Sequence, residues 1–454
     1  MSTSNRLSSL DQFRGYTVAG MFLVNFLGSY WACPAILRHH NTFCSYADTI
    51  MPHFLFAVGF AFRLTFGRRV QAHGGFSAYA RVVRRLLGLV LVALVVYSAG
   101  RPADTWSELT TLGLLDAIAV PLKRTWFQTL MHIAVTSLWI LPVIRAGAAV
   151  RIGYMLFSAG LHVYLSYGFN FEWAFGRAIP TDGTLFSKIP LLVAMLGCEG
   201  NAIDGGPLGF LTWTIPAIAG TLACDAVVNE SGQARLTPIV LWGVVLMVLG
   251  YAFSCGTRLY DVAPSDSETE QSQNQQKLAA DPVLPSLDDI RNHDTKFSSW
   301  LAEPPFVPPP QSTAAKERSR VHWSSLDVKE LLLGDPDPPA SDESFKTRKW
   351  NYWMMSQRAS TLSYLTFSAG LSLFVYAGFV VFCDRLNFQI GLFRTFGTNA
   401  LAGYVLHMMI NSAVSPFIPK DSPGWYMVTG FLVFFGLTYL FVRTLEKNEI
   451  YIKL

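Results

Sequence analysis

The chain has 454 residues, of which 51% are hydrophobic, 14% aromatic and only 15% charged, where a soluble protein averages about 25% charged. Its formal charge of +4 is unevenly shared: residues 261–349 hold sixteen of the thirty-one acidic and ten of the thirty-five basic residues, a net −6, and the remainder carries +10. The first figure excludes a soluble protein and the second excludes a chain that is membrane throughout.

The first apolar run begins at Arg14, is long, and lacks a small-residue cleavage site, so no signal peptide is expected. A bilayer core about 30 Å thick needs roughly 20 mostly apolar helical residues. Ten segments meet that need: 14–34, 46–67, 83–100, 126–145, 149–168, 206–227, 236–257, 360–383, 390–413 and 424–443. Apolar stretches at 108–122 and 185–197 are too short or interrupted and read as interfacial or re-entrant. The expected fold class is therefore all-α, a polytopic membrane helix bundle of about ten transmembrane helices. Arg68, Arg69, Arg81, Arg84 and Arg85 crowd the loop between spans 2 and 3, which places that loop in the cytoplasm. An even span count then puts both the N- and C-termini in the cytoplasm. Across the short loops, fifteen Lys and Arg fall on that side and seven outside.

Residues 1–257 are thus expected to hold spans 1–7, and 360–454 to hold spans 8–10. Between them, 258–359 is hydrophilic, acidic and Pro-rich, with runs such as APSDSETEQSQNQQ and EPPFVPPPQS. Such a composition cannot bury enough apolar surface to offset its ordering entropy. It is expected to be a largely disordered insert facing outside, with one short amphipathic helix at 324–333. Six scattered cysteines suggest neither a disulfide framework nor a metal cluster.

Polar groups inside apolar spans are costly, so each marks a candidate site. The densest set lies in the first sixty residues. Asn25 sits about eleven residues into span 1, roughly 16 Å along a helix. His39 and His40 stand side by side in the following short outer loop, and Asp48 opens span 2. A His beside a carboxylate could make a base and its orienting partner; an Asp at a helix start can equally be only a cap. Pro52 reads as a bend in span 2. Cys33 and Cys44 flank the loop, where a disulfide or two buried thiols would both fit. Arg14, Arg84 and Arg85 cluster at predicted cytoplasmic helix ends, where guanidinium groups would suit phosphates and where orientation alone would also place arginines. His132, His162 and Asp225 read as structural. His407 and Asn411, four residues apart, share a helix face.

The stretch from Leu7 to Gly59 resembles the transmembrane acetyltransferases related to heparan-alpha-glucosaminide N-acetyltransferase. The residues that carry the resemblance are Arg6, Ser9, Asp11, Phe13, Arg14 and Gly15, then Val24 and Asn25, then His39, then Ala47, Asp48, Pro52, Phe54, Phe56 and Gly59. FGTNALAGYVLH at 396–407 is similar to a later family segment and brings in Asn399 and Tyr404. The loop is one residue shorter than the commoner spacing, which leaves His40 as a competitor to His39. Asn41, Thr42, Phe43 and Cys44 depart from the family pattern after the His, so the acceptor stays open.

What the resemblance implies is transfer of an acetyl group from cytoplasmic acetyl-CoA, the acyl donor, to an outward-facing amino sugar or glycan. His39 would act as general base or as transient acetyl carrier, with Asp48 orienting it and Asn25 bonding the thioester carbonyl. Arg14, Arg84, Arg85 and Asn399 would hold CoA, and no metal is called for. Expected partners are membrane lipid, acetyl-CoA and the glycan or amino-sugar acceptor, with no nucleic acid; a homodimer is an open expectation. The expected location is a bacterial inner (cell) membrane. The competing readings are a glycan or lipid-precursor transporter or flippase, and a polysaccharide O-acyltransferase.

Overall fold

The computed structural model describes residues 7–40, 43–97, 102–114, 117, 128–174, 204–228, 234–258, 332–334 and 352–452. All regular structure among these residues is helical. We number the main helices α1 (Ser8–Leu27), α2 (Tyr46–His73), α3 (Gly75–Tyr97), α4 (Thr129–Ile140), α5 (Ala148–Leu165), α6 (Phe210–Val227), α7 (Leu236–Arg258), α8 (Leu362–Phe379), α9 (Gly391–Thr398), α10 (Ala400–Val414) and α11 (Gly424–Lys447).

Among the described residues, six helical segments are long and apolar enough to cross a membrane: Tyr46–His73, Ala148–Leu165, Gly206–Val227, Leu236–Ser254, Leu362–Arg385 and Gly424–Lys447. The other four predicted spans are helices that fall short for visible reasons. Polar Asp11, Gln12 and Arg14 lie in the first turns of α1, and α3 carries Arg81, Arg84 and Arg85. The α4 helix has 12 residues and α10 has 15, which cover only about 18 and 22 Å. Predicted span 1 starts earlier than its apolar run, at Ser8, and predicted span 9 divides at Asn399 into α9 and α10. The interfacial stretch at 108–122 begins as a short exposed helix, Trp106–Thr111, closed by a Thr105–Glu108 capping box. The stretch at 185–197 lies outside the described residues, as do residues 324–331 of the helix predicted at 324–333; its last two residues, Leu332 and Leu333, are helical.

The core is built around α2, α6 and α8, with α7 laid along α8, α4 and α5 against α6, and α1 joining α2 to the pair α10–α11. No hydrophobic effect separates helices from lipid, so tight association in a membrane depends on close backbone approach at small residues. The α2–α6 seam meets that condition: a Cβ at Gly59 would fall 1.9 Å from the Ala217 carbonyl oxygen, and one at Gly220 would fall 2.0 Å from that of Phe56. Across α2, α5 and α6, Asp225 pairs with Arg63 at 2.8 Å and with the fully buried Arg151. By contrast, α7 and α11 leave Leu241, Trp242, Val248, Leu432, Leu440 and Phe441 exposed. Apolar faces of that extent suit lipid.

Most of the acidic insert lies outside the described residues. Its last residues do not: Tyr352, Met354, Met355, Ser356 and Ala359 are buried. Composition assigns them to the insert because the polar run continues through them, yet they pack ahead of α8 as part of the body.

Candidate active site

The site is set by the loop that joins α1 to α2. Gly28 ends α1 by donating its N–H to Val24 O at 3.0 Å. Arg38 folds the loop back: its guanidinium donates to the carbonyls of Tyr30 and Trp31 at 2.6 and 2.7 Å. Trp31 N–H in turn donates to Lys420 O at 2.8 Å, so the loop is tied to the connection before α11. Ser45 Oγ donates to Arg38 O at 2.6 Å and accepts from Asp48 N–H, while Ser45 N–H donates to Asp48 Oδ2 at 2.9 Å. This is a reciprocal capping box, with Ser at the cap and an acid three residues on.

Asp48 is therefore a cap, and it is also more than a cap. Its second oxygen, Oδ1, accepts from His39 Nδ1 at 2.8 Å, and His40 N–H reaches Oδ2 at 3.4 Å. The helix start fixes the carboxylate and the carboxylate fixes the imidazole, with Nδ1 as donor and Nε2 left for chemistry. Of the two histidines, His39 places its ring on Asp48, whereas His40 offers a backbone N–H.

Pro52 contributes in a way its sequence position does not reveal. Lacking an N–H, it cannot bond the carbonyl four residues back, which belongs to Asp48. Tyr364 of α8 fills that vacancy by donating its hydroxyl to Asp48 O. Both termini of the Asp48 residue are thus held, one by Ser45 and the other by Tyr364. Pro52, predicted as a bend, acts here by freeing an anchor point.

Half of the His39 side-chain surface is accessible, at 52%, while Asp48 is fully buried. The largest influence on His39 protonation is nevertheless burial, which opposes the charge. Against burial act the Asp48 hydrogen bond and charge, the charge of Asp204 and a contact with Gln357, and together they raise the imidazole above its usual range. Neither Asp204 nor Gln357 is singled out by sequence. Asp204 is buried just ahead of α6, where it accepts from Gln357 Nε2 at 2.9 Å and from Thr129 Oγ1 at 3.0 Å. A lone acid at the edge of an apolar span was the one available signal for it; Gln357 is masked by the polar insert.

The remaining candidates separate clearly. Asn25 is exposed on α1 and is not bonded to the His39–Asp48 pair. Arg14, Arg69 and Arg85 come close enough to feel one another's charge, and Arg14 also sits 3.9 Å from Asp11. Arg84 lies next to Arg85 on α3, with no described interaction linking it to that group. Asn399 is buried with its amide occupied: Nδ2 donates to Ile450 O at 2.9 Å and Oδ1 accepts from Ile452 N–H at 3.2 Å. His407 is buried, stacks on Phe22 with centroids 5.2 Å apart, and donates Nδ1 to Tyr404 O at 2.6 Å. His162 pairs with Tyr352 at 2.8 Å, a structural contact. Cys33 and Cys44 are free, buried thiols, with burial pushing Cys33 up to about 11 and Cys44 well above the usual thiol range; both are inert as nucleophiles.

Residues 6–189 match the family model described as heparan-alpha-glucosaminide N-acetyltransferase, catalytic. Residues 6–189 are thus similar to the catalytic domain of this acetyltransferase family. The match covers roughly two fifths of the sequence and contains Arg14, Asn25, His39, His40, Asp48, Arg84 and Arg85. Asp204, Gln357, Tyr364 and Asn399 fall beyond it, so the family-matched segment holds the His39–Asp48 pair, and Tyr364 of a later helix braces it. No curated protein matches the chain.

Proposed function

We propose that the protein is a transmembrane acetyltransferase that moves an acetyl group from cytoplasmic acetyl-CoA to an outward-facing amino sugar or glycan. The observation that carries this reading is the 2.8 Å bond from His39 Nδ1 to the capped, buried Asp48, with half of the imidazole's surface accessible. That geometry lies inside the acetyltransferase-family segment. The ten spans expected from the sequence, with both termini in the cytoplasm, would put the α1–α2 loop outside and the Arg14–Arg85 end inside. The expected setting is a bacterial cell membrane.

In this reading the acceptor nitrogen or oxygen attacks the thioester carbonyl while His39 Nε2 takes its proton. The carbon–sulfur bond breaks, its electron pair leaves on sulfur, and the proton passes from His39 to the thiolate. Asp48 keeps Nδ1 protonated and stabilises the imidazolium, as a positioned carboxylate does beside a catalytic His. An exposed amide in an apolar helix is costly against lipid, which favours Asn25 facing the substrate, where it can bond the thioester oxygen as charge develops there. Arg14 and Arg85 are the guanidinium groups for the CoA phosphates. Asn399 serves that end indirectly, by docking the C-terminal residues.

The test is acetyl-CoA turnover by the purified protein, with and without a glucosamine-terminated acceptor, for wild type, His39→Ala and His40→Ala. Turnover lost only in His39→Ala supports the assignment; acetyl-CoA that neither binds nor turns over points instead to a transporter. Rapid-quench mass spectrometry separates direct transfer, with no acetyl on His39, from a carrier mechanism in which acetyl-His39 precedes product.

A further inference from the structure

Three helices meet in a charged group on the side of the bundle away from His39. Arg63 stands fifteen residues after Asp48 on α2, about 22 Å along the helix. Arg151 is the fourth residue of α5, and Asp225 lies two residues from the end of α6. One oxygen of Asp225 accepts from Arg63 Nε at 2.8 Å and the other from Arg151 Nη2. Arg63 Nη1 also donates to Ile144 O, and Arg151 Nη1 to Thr221 Oγ1, both at 2.7 Å. Two guanidiniums on one carboxylate leave a net +1. Donors are in excess as well, since each guanidinium carries five N–H groups and Arg151 Nε is buried with no acceptor among the described residues. Positive charge held away from water without its counter-charge is costly, so the group calls for an anion. It can be reached: the side chains of Arg63 and Asp225 are 25% and 39% accessible.

Two exposed arginines start at its rim. Arg145 follows Ile144, whose carbonyl holds Arg63, and Arg235 donates its backbone N–H at 2.9 Å to Ala226 O, next to Asp225. Neither makes an ion pair among the described residues. Around them Val150, Ile152, Leu156 and Val228 leave apolar side chains exposed. Guanidinium groups suit a phosphate, and a basic pocket between helices flanked by apolar surface suits one that carries acyl chains. The Arg14–Arg85 end is a different place, because Arg69 lies six residues beyond Arg63 and about 120° around α2 from it.

We propose that the Arg63–Asp225–Arg151 group, with Arg145 and Arg235 at its rim, binds the headgroup phosphate of an anionic phospholipid whose acyl chains lie along the exposed face of α5. The phosphate supplies the missing negative charge. It accepts from Arg63 Nη2, which has no acceptor among the described residues, and from the two rim guanidiniums. The inference is independent of the chemistry assigned to His39.

Native mass spectrometry of the full-length protein in detergent tests it, with phosphatidylglycerol, phosphatidylcholine, glycerol phosphate and acetyl-CoA as separate titrants. One phosphatidylglycerol per chain should be retained in preference to phosphatidylcholine. Arg145→Gln and Arg235→Gln should each weaken its binding about fivefold, and together about twenty-five-fold, at an unchanged melting temperature. Arg81→Gln, an exposed position on α3 at the same end of the bundle, should leave binding as it was. Equal retention of phosphatidylcholine, or an equal loss in Arg81→Gln, would reduce the effect to diffuse attraction and overturn the proposal. Unchanged binding in the Arg145→Gln, Arg235→Gln double variant would overturn it too. Glycerol phosphate or acetyl-CoA that displaces the lipid, with the same losses in both variants, would assign the group to a soluble phosphate and remove the lipid.

Discussion

Asp48 does two things with one carboxylate, and the two can be separated by substitution. Asp48→Asn keeps an oxygen for the capping box, since Asn caps nearly as well as Asp, but removes the charge from His39. The expected outcome is a folded protein with acetyl transfer reduced about 10²–10⁴-fold, comparable to His39→Ala. The pH dependence has a defined sign. His39 acts as base only when neutral, and Asp48 favours its charged form. In the wild type, the acid limb of kcat/KM should therefore lie above the ordinary histidine range. Residual Asp48→Asn activity should show that limb at lower pH, and a pH–rate profile of both proteins checks it. His39 and Asp48 are readable along the chain, because they sit within nine positions of one another, and Asp48 also reads as a possible cap. Which His carries the ring contact was not readable, because spacing alone does not say how the loop folds back on Arg38.

At the level of single helices, the start of α2 shows how a proline can place a carboxylate. Pro52 leaves the Asp48 carbonyl without its helical partner, and Tyr364 supplies one. Tyr364→Phe should strand a buried carbonyl at a cost of about 1–3 kcal/mol. The double change Tyr364→Phe with Pro52→Ala restores an intrahelical donor and should recover much of that loss; thermal unfolding of the four proteins forms the cycle. Additive losses would count against the account. A second element-level feature is the Arg63–Asp225–Arg151 ion group joining α2, α5 and α6. Asp225→Ala leaves Arg151 buried without a counter-charge. Losing one partner of such a group costs about 3–5 kcal/mol, visible as a lower melting temperature while acetyl-CoA affinity is retained. Asp225 stands in the sequence as a single acid near a span end, and only the three-helix packing shows that it has two partners.

For the whole molecule, the core is a set of close helix seams with apolar faces left outward. Gly59→Val forces α2 and α6 apart where a Cβ already collides with backbone. It should lower stability by about 1–3 kcal/mol or more and, by shifting α2, also lower activity. The charge division of the chain makes a different prediction. Removing 261–349 takes out a net −6 and should leave turnover within about twofold, whereas a deletion extended through Gln357 should abolish it, because that end carries Gln357 and the buried residues from Tyr352 onward. Activity assays on the two deletions distinguish a spacer from a working segment.

The sequence by itself determined the helical class, most of the apolar segments, the acidic insert and the His39–Asp48 neighbourhood. Each of these rests on local composition or short spacing, which hydropathy and helix geometry translate directly. Tertiary structure decided what depends on contacts across long separations. Tyr364 reaches Asp48 across 316 positions, and Gln357 reaches Asp204 across 153. It also decided that the amide of Asn399 binds the C-terminal backbone and that the acidic insert ends in packed residues. A hydrogen bond is made by whichever partner the packing brings within about 3 Å, and neither composition nor periodicity carries that distance.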